Sequence, residues 1–400
     1  MEYDINFDNI EDSNNFLRAL WSQIRTVFGS CGWQFMPYRD GENNTIHFGH
    51  FSANELGVLS SRITYGKKGS IKKIIFEDVN DKEIILEERL KGLLDKCVSS
   101  AKDYKSLLTD YWLKTTIKSL YYPISNYQGE EFRIVPVGSH LFDLTIHIKA
   151  YDRVDAKSFI NEKFNKVLDY LSVHTNNIYF YSNENDRLEC SAMDKRNEVY
   201  STDYEWIDYC PSEDAKFLLF EESKRVIDKM LLEETDEIEK YFTACRLFHS
   251  ASKYMSLIFD YKKLDTTQVR QIDLPNNEVS MIQFMSALEV ASEIGSSKPE
   301  TCCECGQLKY SISRRVLDMV NKYCGKYSDR LFKAYYIDRS KYVHAGKFFS
   351  NNTYQGVSIP QLDINSSDGC VSQVSMKSLV MAKDLTSYCL RKFELENFKL

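Results

Sequence analysis

An arginine and a histidine lie five residues apart near the end of the chain, at Arg339 and His344. Histidine titrates near neutral pH and can transfer protons, whereas arginine stays charged and can contact phosphate oxygens through two N–H groups. Cleavage of RNA without a metal needs a base for the ribose 2′-hydroxyl, an acid for the leaving oxygen and a cation for the phosphoryl charge. Two Arg–His pairs, brought together by dimerisation, would supply a separate acid and base. We therefore take Arg339 and His344 as candidate catalytic residues of a metal-independent site.

Helical periodicity predicts how this pair is held. Four residues recur at spacings of four, three and four and so share one helical stripe: Phe332, Tyr336, Arg339 and Val343. Because arginine is seldom buried without a partner, we expect Arg339 in this apolar stripe to meet a carboxylate, a cleft or a second subunit. His344 comes one and a half turns later, just before Gly346, a residue that commonly ends helices. A long arginine and a histidine at such a helix end could converge on one small anion.

The surroundings of the pair are basic. Between residues 306 and 347 the chain has ten lysines and arginines but only three acidic residues, a local net charge of +7 in a protein of net charge −7. Such a cluster suits a phosphate-bearing ligand, although two solvated helix faces have the same composition. Tyrosines flank the motif and could stack on bases or pack in the core. The candidate substrate-binding residues are Tyr336, Ser340, Lys341, Tyr342, Arg314 and Arg315.

The segment from Arg339 to Gly346, R-S-K-Y-V-H-A-G, resembles the R-x4-6-H signature of HEPN ribonuclease domains. It is most similar to the ApeA-like branch, in which an R-S-x-x-x-H-G-G ending is familiar. Residues 305–316 also resemble the helix before that signature, and the likeness covers roughly residues 212–400. Two positions depart from the pattern: Ser340 stands where asparagine or another polar residue is common, and Ala345 where glycine is common.

This resemblance implies a helical bundle, commonly dimeric, in which two motifs meet at the interface and act as an endoribonuclease. Arg339 and His344 match the arginine and histidine of the motif. The expected reaction is transesterification through the ribose 2′-hydroxyl, with RNA as substrate and without a cofactor. Many members act in bacterial antiphage defence, abortive infection or toxin systems. The N-terminal region would then bind a phage-derived or regulatory trigger.

Two other functions fit the same residues. Some HEPN domains are inactive scaffolds, so the bundle could dimerise and hold RNA or a nucleotide without cutting it. Alternatively, Arg339 could form a structural salt bridge with a carboxylate such as Glu289, which lies beside an apolar stripe and could also pair with Arg314. These alternatives differ in what they predict for an Arg339→Ala variant, because only a structural salt bridge makes its loss strongly destabilising.

The first 205 residues mix strand and helix periodicities and predict an α+β sensing or regulatory domain. Helices are predicted over residues 14–27, 88–120 and 156–171. Strands are predicted over residues 45–48, 58–65, 71–76, 83–86, 132–137, 141–150 and 178–181. The pair Gly138-Ser139 between two of these strands indicates a hairpin turn.

From residue 206 to 400, helical periodicity dominates and predicts an all-α, HEPN-like helical bundle. Ser212 is the predicted N-cap of its first helix, because acidic residues follow it in the first turn. Apolar stripes with spacings of three and four occur within residues 244–258, 281–291 and 379–393. Residues 350–374, with Gly, Pro, Asn and Ser, predict a long loop before the last helix.

Composition narrows the class of protein. The net charge of −7 argues against a protein that coats nucleic acid non-specifically. No run of about 18 apolar residues predicts a membrane span, and the acidic N-terminus lacks a signal-peptide pattern. We therefore expect a cytoplasmic protein with reduced thiols and no membrane association.

Metal and cofactor signatures are weak. Three cysteines lie together, at Cys302, Cys303 and Cys305, but a structural zinc site needs a second pair of ligands and only Cys324 is near. Reduced cysteines in a loop are the simpler interpretation. His47 and His50 are three residues apart on a predicted strand and should point to opposite faces. His249 fits a packing role, and no phosphate-binding or dinucleotide motif is present, so no metal or cofactor is predicted.

Overall fold

The computed structural model describes residues 1–29, 31–41, 43–53, 57–66, 69–79, 88–182, 188–190, 197–233, 235–256, 266–295, 312–325, 328–346 and 379–398. The predicted strand over residues 83–86, the loop over 350–374 and the three cysteines at 302, 303 and 305 lie outside these residues. The chain divides into two units: residues 1–112 with 147–160, and residues 113–146 with 161–400. The units therefore do not coincide with the predicted boundary at residue 205.

The first unit contains a five-stranded sheet and two helices. Its elements are β1 (Glu2–Asp4), α1 (Ile10–Phe28), β2 (Cys31–Asp40), β3 (Asn43–Ser52), β4 (Val58–Tyr65), β5 (Ile71–Asp78) and α2 (Glu88–Lys102). The strand order is β1-β5-β4-β3-β2, and these neighbours are antiparallel. Asn9 caps α1, since its side chain accepts a hydrogen bond from the Asp12 N–H at 2.8 Å. Phe16 and Leu20 of α1 share one core with Leu94 of α2 and Ile74 of β5.

Strand β2 is absent from the sequence prediction. It lies at the edge of the described sheet and contains Pro37, which cannot donate to a strand ladder. Phe35 and Met36 are adjacent and both exposed, as are the residues after them up to Asp40, so this described stretch shows no alternation of inward apolar and outward polar residues. Period-two analysis fails on such a stretch because it detects strands with one buried face, and residues 35–40 are exposed on both faces.

A second sheet and one long helix follow along the chain, and most of their residues belong to the second unit. These elements are β6 (Thr109–Ser119), β7 (Tyr127–Gln128), β8 (Phe132–Pro136), β9 (Leu141–Ala150), α3 (Arg153–Thr175), β10 (Tyr179–Tyr181) and β11 (Leu188–Glu189). The strand order is β10-β6-β9-β8-β7, and β11 also pairs with β6. The predicted hairpin at Gly138-Ser139 is confirmed, because β8 and β9 pair antiparallel on either side of it. The chain passes from one unit to the other within β6, β9 and α3.

The rest of the described chain is mainly helical. It consists of β12 (Ser212–Glu213), β13 (Lys216–Phe217), α4 (Glu221–Leu232), α5 (Asp236–Ser256), α6 (Thr266–Glu293), α7 (Ile312–Cys324), α8 (Ser328–Ala345) and α9 (Leu379–Asn397). Helix α6 contacts α5, α7, α8 and α9. A sheet-rich N-terminal region and a helical C-terminal region are thus confirmed. In the described part of the chain, no helix has both the length and the apolar character needed to cross a membrane.

Two sequence predictions near these elements are wrong. The helix predicted over residues 88–120 ends at Lys102, and β6 follows it. Leu113 and Ile117 are four residues apart and so fit a helix, but the residues between and beyond them alternate in burial as a strand requires. Ser212 does not cap a helix: it pairs with Phe217 in a short hairpin, and the next helix begins at Glu221.

A buried polar cluster joins α3 to α9 and explains why the end of α3 belongs to the second unit. The Glu394 carboxylate accepts hydrogen bonds from Tyr170 at 2.5 Å and Tyr204 at 3.0 Å, and lies 3.2 Å from His174 Nε2. Arg391, one turn away, donates to the carbonyl oxygen of Tyr204 at 3.0 Å. All five side chains are buried. Most of the polar atoms in this cluster have hydrogen-bond partners, which lowers the cost of burying them, and such networks specify how helices pack.

Candidate functional site

Helix α8 carries the Arg–His motif and ends as the sequence predicts. Its last residue is Ala345, and Gly346 follows with a φ of 61°. The N–H of Gly346 donates to the carbonyl oxygen of Tyr342 at 3.0 Å, which satisfies one of the last carbonyl groups of the helix. Glycine adopts this left-handed conformation without the steric cost of a Cβ, so it fixes where the motif helix stops.

The apolar stripe of α8 is confirmed only in part. Phe332 is fully buried, whereas Tyr336 and Arg339 are half-buried and Val343 is 55% exposed. Val343 therefore lies on this stripe without packing in the core. The buried face narrows toward the end of the helix, so the last turn extends into solvent.

Arg339 is held by a carboxylate of α6. Its Nη1 donates to Glu289 Oε1 at 2.6 Å and its Nη2 donates to Oε2 at 2.9 Å, which is a bidentate pair. The Tyr336 hydroxyl, one turn before Arg339, also donates to Glu289 Oε1, at 2.7 Å. The Arg339 side chain is 27% exposed and that of Glu289 15%. Burial raises the pKa of Tyr336, and the hydrogen bond to Glu289 raises it further, so this tyrosine stays protonated.

A second arginine lies on the same side of α6. Arg315 of α7 has its Nη2 3.6 Å from Glu293 Oε1, and Glu293 is one turn beyond Glu289 on α6. The positive charge of Arg315 opposes the rise in the pKa of Tyr336, which places it near the Arg339 group. The Nε atoms of Arg315 and Arg339 are buried and have no hydrogen-bond partner in the described chain. Arginines from two helices thus meet two glutamates of a third.

No hydrogen bond joins His344 to Arg339 in the part of the chain that the structure describes. Five helical residues correspond to a rotation of about 140° around the axis, so the two side chains leave α8 in different directions. His344 is exposed, and it makes no hydrogen bond or ion pair with the part of the chain that the structure describes. The expectation that both side chains of one helix converge on a small anion therefore stays a prediction.

The other candidate substrate-binding residues fall into two groups. Tyr336 and Arg315 lie with Arg339, as described above. Ser340 and Lys341 are exposed and Tyr342 is half-buried on α8, while Arg314 is 84% exposed and 4.0 Å from Asp318 on its own helix. The structure thus separates Arg314 from Arg315, although the two are neighbours in sequence. The missed member of the site is Glu293, whose role depends on how α6 packs against α7.

His47 and His50 are placed differently from the sequence prediction, which put them on opposite faces of a strand. Their rings are 4.8 Å apart, so they lie on the same side of the sheet rather than on opposite faces. The register of β3 against β4 shifts between His47 and Gly49, and this bulge adds one residue to the alternation. Burial lowers the pKa of His47, and His50 lowers it further. Among the described residues, no group of three His, Cys, Asp or Glu side chains is placed to hold a metal ion.

His249 has the packing role expected from the sequence. It is buried, its Nδ1 lies 2.7 Å from Asp169 Oδ1, and its Nε2 accepts a hydrogen bond from the Tyr179 N–H at 3.1 Å. Because Nε2 is an acceptor, the proton of the neutral ring is on Nδ1 and is donated to Asp169. Both ring nitrogens are thus used to connect α3, β10 and α5.

No protein-family model, no curated protein and no solved structure matches this chain. The likeness of residues 339–346 to the HEPN signature therefore stays a prediction from the motif.

Proposed function

We propose that the chain is a homodimeric, metal-independent endoribonuclease in which Arg339 binds the phosphate and His344 transfers protons. The observation that carries this proposal is the position of Arg339, a half-buried guanidinium fixed by Glu289 on a neighbouring helix. A guanidinium has five N–H donors; two bind Glu289 and the Nε–H is buried, so one N–H each of Nη1 and Nη2 is left for a ligand. A cation held in place before the substrate arrives loses little freedom on binding, which favours catalysis.

A second subunit is part of the proposal because one chain does not complete the site. A proton-transferring histidine must be reachable by the substrate, and His344 is exposed. Since it leaves the helix about 140° away from Arg339, we place the reacting phosphate between residues of two subunits. Ile337 and Val343, apolar side chains exposed on the same helix, are the kind of surface that a subunit interface covers.

The test is an RNA cleavage assay in EDTA with purified full-length protein and with tRNA or total RNA as substrate. We expect the wild type to cleave and the variants Arg339→Ala and His344→Ala to lose about 100-fold or more of the rate. Two controls are matched to them. Arg18→Ala removes another arginine that is 27% exposed and bidentate to a carboxylate, Asp155, and His140→Ala removes another exposed histidine. Equal activity, or equal inactivity, in all five proteins would reject the proposal.

A biological role follows from the resemblance to the HEPN family. We propose that the protein acts in the cytoplasm in antiphage defence or abortive infection, with the N-terminal region responding to a phage-derived or regulatory trigger. Bacteria that express the wild type should then resist infection better than bacteria that express His344→Ala at the same level. Equal plaque counts across a broad phage panel would count against this role. They would not bear on the ribonuclease activity, which the cleavage assay tests separately.

The same salt bridge favours a second candidate function, a non-catalytic dimerising scaffold that binds RNA or a nucleotide. Glu289 neutralises much of the charge of Arg339, which suits a structural contact between α6 and α8. A scaffold should bind RNA with an affinity that falls as salt rises, and yield no cleavage product. In that case Arg339→Ala lowers the melting temperature, while His344→Ala changes neither stability nor cleavage.

A further inference from the structure

Two cysteines lie in contact between helices of the second unit. Cys324 is the last residue of α7, Cys389 lies in the middle of α9, and their sulfur atoms are 3.2 Å apart. Both are free thiols. A disulfide bond is about 2.05 Å long, so the two sulfurs need to approach by only about 1.2 Å to form one. We propose that this pair is a site of reversible oxidation, at which a small-molecule disulfide such as oxidised glutathione links α7 to α9.

The difference in exposure sets the order of the reaction. Cys324 is partly exposed and Cys389 is fully buried, so an external disulfide reaches Cys324 first. The Cys324 thiolate attacks one sulfur of oxidised glutathione, releases one glutathione thiolate and forms a mixed disulfide. Cys389 then loses its proton and attacks the Cys324 sulfur, which expels the second glutathione thiolate. Two protein thiols are oxidised, one glutathione disulfide is reduced, and the two protons from the protein pass to the glutathione thiolates.

Side chains next to the two cysteines hold the end of α7 against α9. The Tyr323 hydroxyl, next to Cys324, donates to Glu396 of α9 at 2.7 Å, and Lys322 pairs with the same carboxylate. The hydrogen bond with Cys324, together with burial, raises the pKa of Cys389. Cys389 therefore stays protonated and unreactive as long as Cys324 is a thiol, which fits its role as the second residue to react.

Oxidation would close a covalent loop over residues 324–389, which contains all of α8. Cross-linking restricts the unfolded chain, so the oxidised protein should resist unfolding better than the reduced one. Gly325, with a φ of 92°, follows Cys324 and leads into α8, so the cross-link fixes the start of the connection between α7 and α8. This inference does not depend on the proposed ribonuclease activity.

The test treats the folded full-length protein with oxidised glutathione and maps its disulfides by non-reducing peptide mass spectrometry. We expect a cross-linked peptide that joins Cys324 to Cys389, a melting temperature several degrees higher, and reversal of both by dithiothreitol. Cys324→Ser and Cys389→Ala should each abolish the cross-link and the temperature shift. Alanine is used at position 389 because a buried serine hydroxyl would need a partner. Cys31→Ser is the matched control, since it changes another partly exposed thiol and should keep both effects.

Three results would overturn the proposal. One is a disulfide from Cys324 to Cys302, Cys303 or Cys305 instead of Cys389. Another is a stable glutathione adduct on Cys324 that does not resolve. The last is full retention of free thiols in the folded protein at a glutathione potential that oxidises ordinary vicinal thiols, because sulfurs held in contact should react at least as readily.

Discussion

Arg339 and Glu289 face each other with two donors opposite two acceptors, at 2.6 Å and 2.9 Å. Bidentate pairs of this kind are shorter and stronger than single hydrogen bonds between neutral groups. Because the two side chains belong to α8 and α6, the pair fixes the motif helix against the helix that contacts most of its neighbours in the described bundle. The contact joins two helices, and in the proposed ribonuclease it would also orient the guanidinium toward the phosphate.

A double-mutant cycle measures what this contact contributes to stability. We expect Arg339→Ala, Glu289→Ala and the double variant to give a coupling energy of about 1–3 kcal/mol, because the pair is charge-assisted and partly shielded from water. The free energy of unfolding would be measured by urea titration of all four proteins.

An exposed arginine pair in the same region is the control for that cycle. Arg314 and Asp318 are 84% and 72% exposed and 4.0 Å apart, so their coupling should be at most about 0.5 kcal/mol. A coupling energy for Arg339 and Glu289 no larger than this control would contradict the structural importance of the salt bridge.

The stability of the second unit should fall in mild acid because of His249. Burial lowers the pKa of this histidine below its ordinary value, so the unfolded chain binds the proton at a higher pH than the folded protein does. Its contribution to stability is therefore fully present above about pH 6.5 and is lost as the pH falls toward the folded-state pKa, by up to about 1.4 kcal/mol per pH unit. Protonation also removes the acceptor that Nε2 provides to the Tyr179 N–H.

This prediction is checked by urea unfolding at pH 7.5 and pH 5.5. His249→Gln should be less stable than the wild type at pH 7.5 and should lose less stability on acidification. His140→Gln, a change at an exposed histidine, is the control for the loss of a histidine side chain. An identical pH dependence in His249→Gln and wild type would show that other groups cause the acid sensitivity.

Strands with a clear alternation are predictable from the sequence alone. The bounds predicted for residues 58–65 and 141–150 agree with β4 and β9. Residues 109–119 are ambiguous, because Leu113 and Ile117 satisfy the helical spacing of four as well as the strand spacing of two. Pairing with β9, β10 and β11 decides between them, and pairing between distant segments cannot be read from local periodicity.

The contacts of the candidate site are likewise predictable from the sequence only where they follow from local periodicity. The need of Arg339 for a carboxylate follows from its place in an apolar stripe, and Glu289 is a candidate from the sequence because it lies beside the stripe of another helix. The pairing of Arg315 with Glu293 depends on the packing of α6 against α7 and has no sequence signal. The proximity of His47 and His50 depends on a bulge in β3, which period-two reasoning cannot anticipate.

The buried carboxylate of Glu394 should be essential to the second unit. Glu394→Ala leaves the buried Tyr170 hydroxyl without its acceptor and removes the carboxylate that lies 3.2 Å from the buried His174. The Tyr204 hydroxyl keeps the carbonyl oxygen of Arg391 as an acceptor at 3.1 Å. We expect the free energy of unfolding to fall by about 3–5 kcal/mol. Tyr170→Phe removes one donor and keeps the other contacts, so its free energy of unfolding should fall by only about 1–2 kcal/mol. Chemical denaturation measures both. A smaller loss for Glu394→Ala than for Tyr170→Phe would contradict the role of the carboxylate.

Replacement of Gly129 by alanine should destabilise the protein although the backbone φ of this residue is not positive. A Cβ at this position would overlap the Asp228 carboxylate and come within 2.5 Å of Phe132 Cε1. Asp228 cannot move away freely, because it accepts hydrogen bonds from the N–H groups of Glu130 and Glu131 at 2.7 Å and 2.8 Å. Gly129→Ala should therefore destabilise the protein by about 1–3 kcal/mol, which is typical of overpacking in a fixed environment.

At Gly92 we expect the substitution by alanine to stabilise the protein rather than destabilise it. It lies inside helix α2, and a Cβ there meets no atom within 4 Å. Gly92→Ala should stabilise the protein by about 0.5–1 kcal/mol, because alanine loses less backbone freedom than glycine on entering a helix. The two variants, unfolded in urea beside the wild type, should shift the midpoint in opposite directions. A shift in the same direction for both would mean that the space around Gly129, or the helix around Gly92, differs from the structure described here.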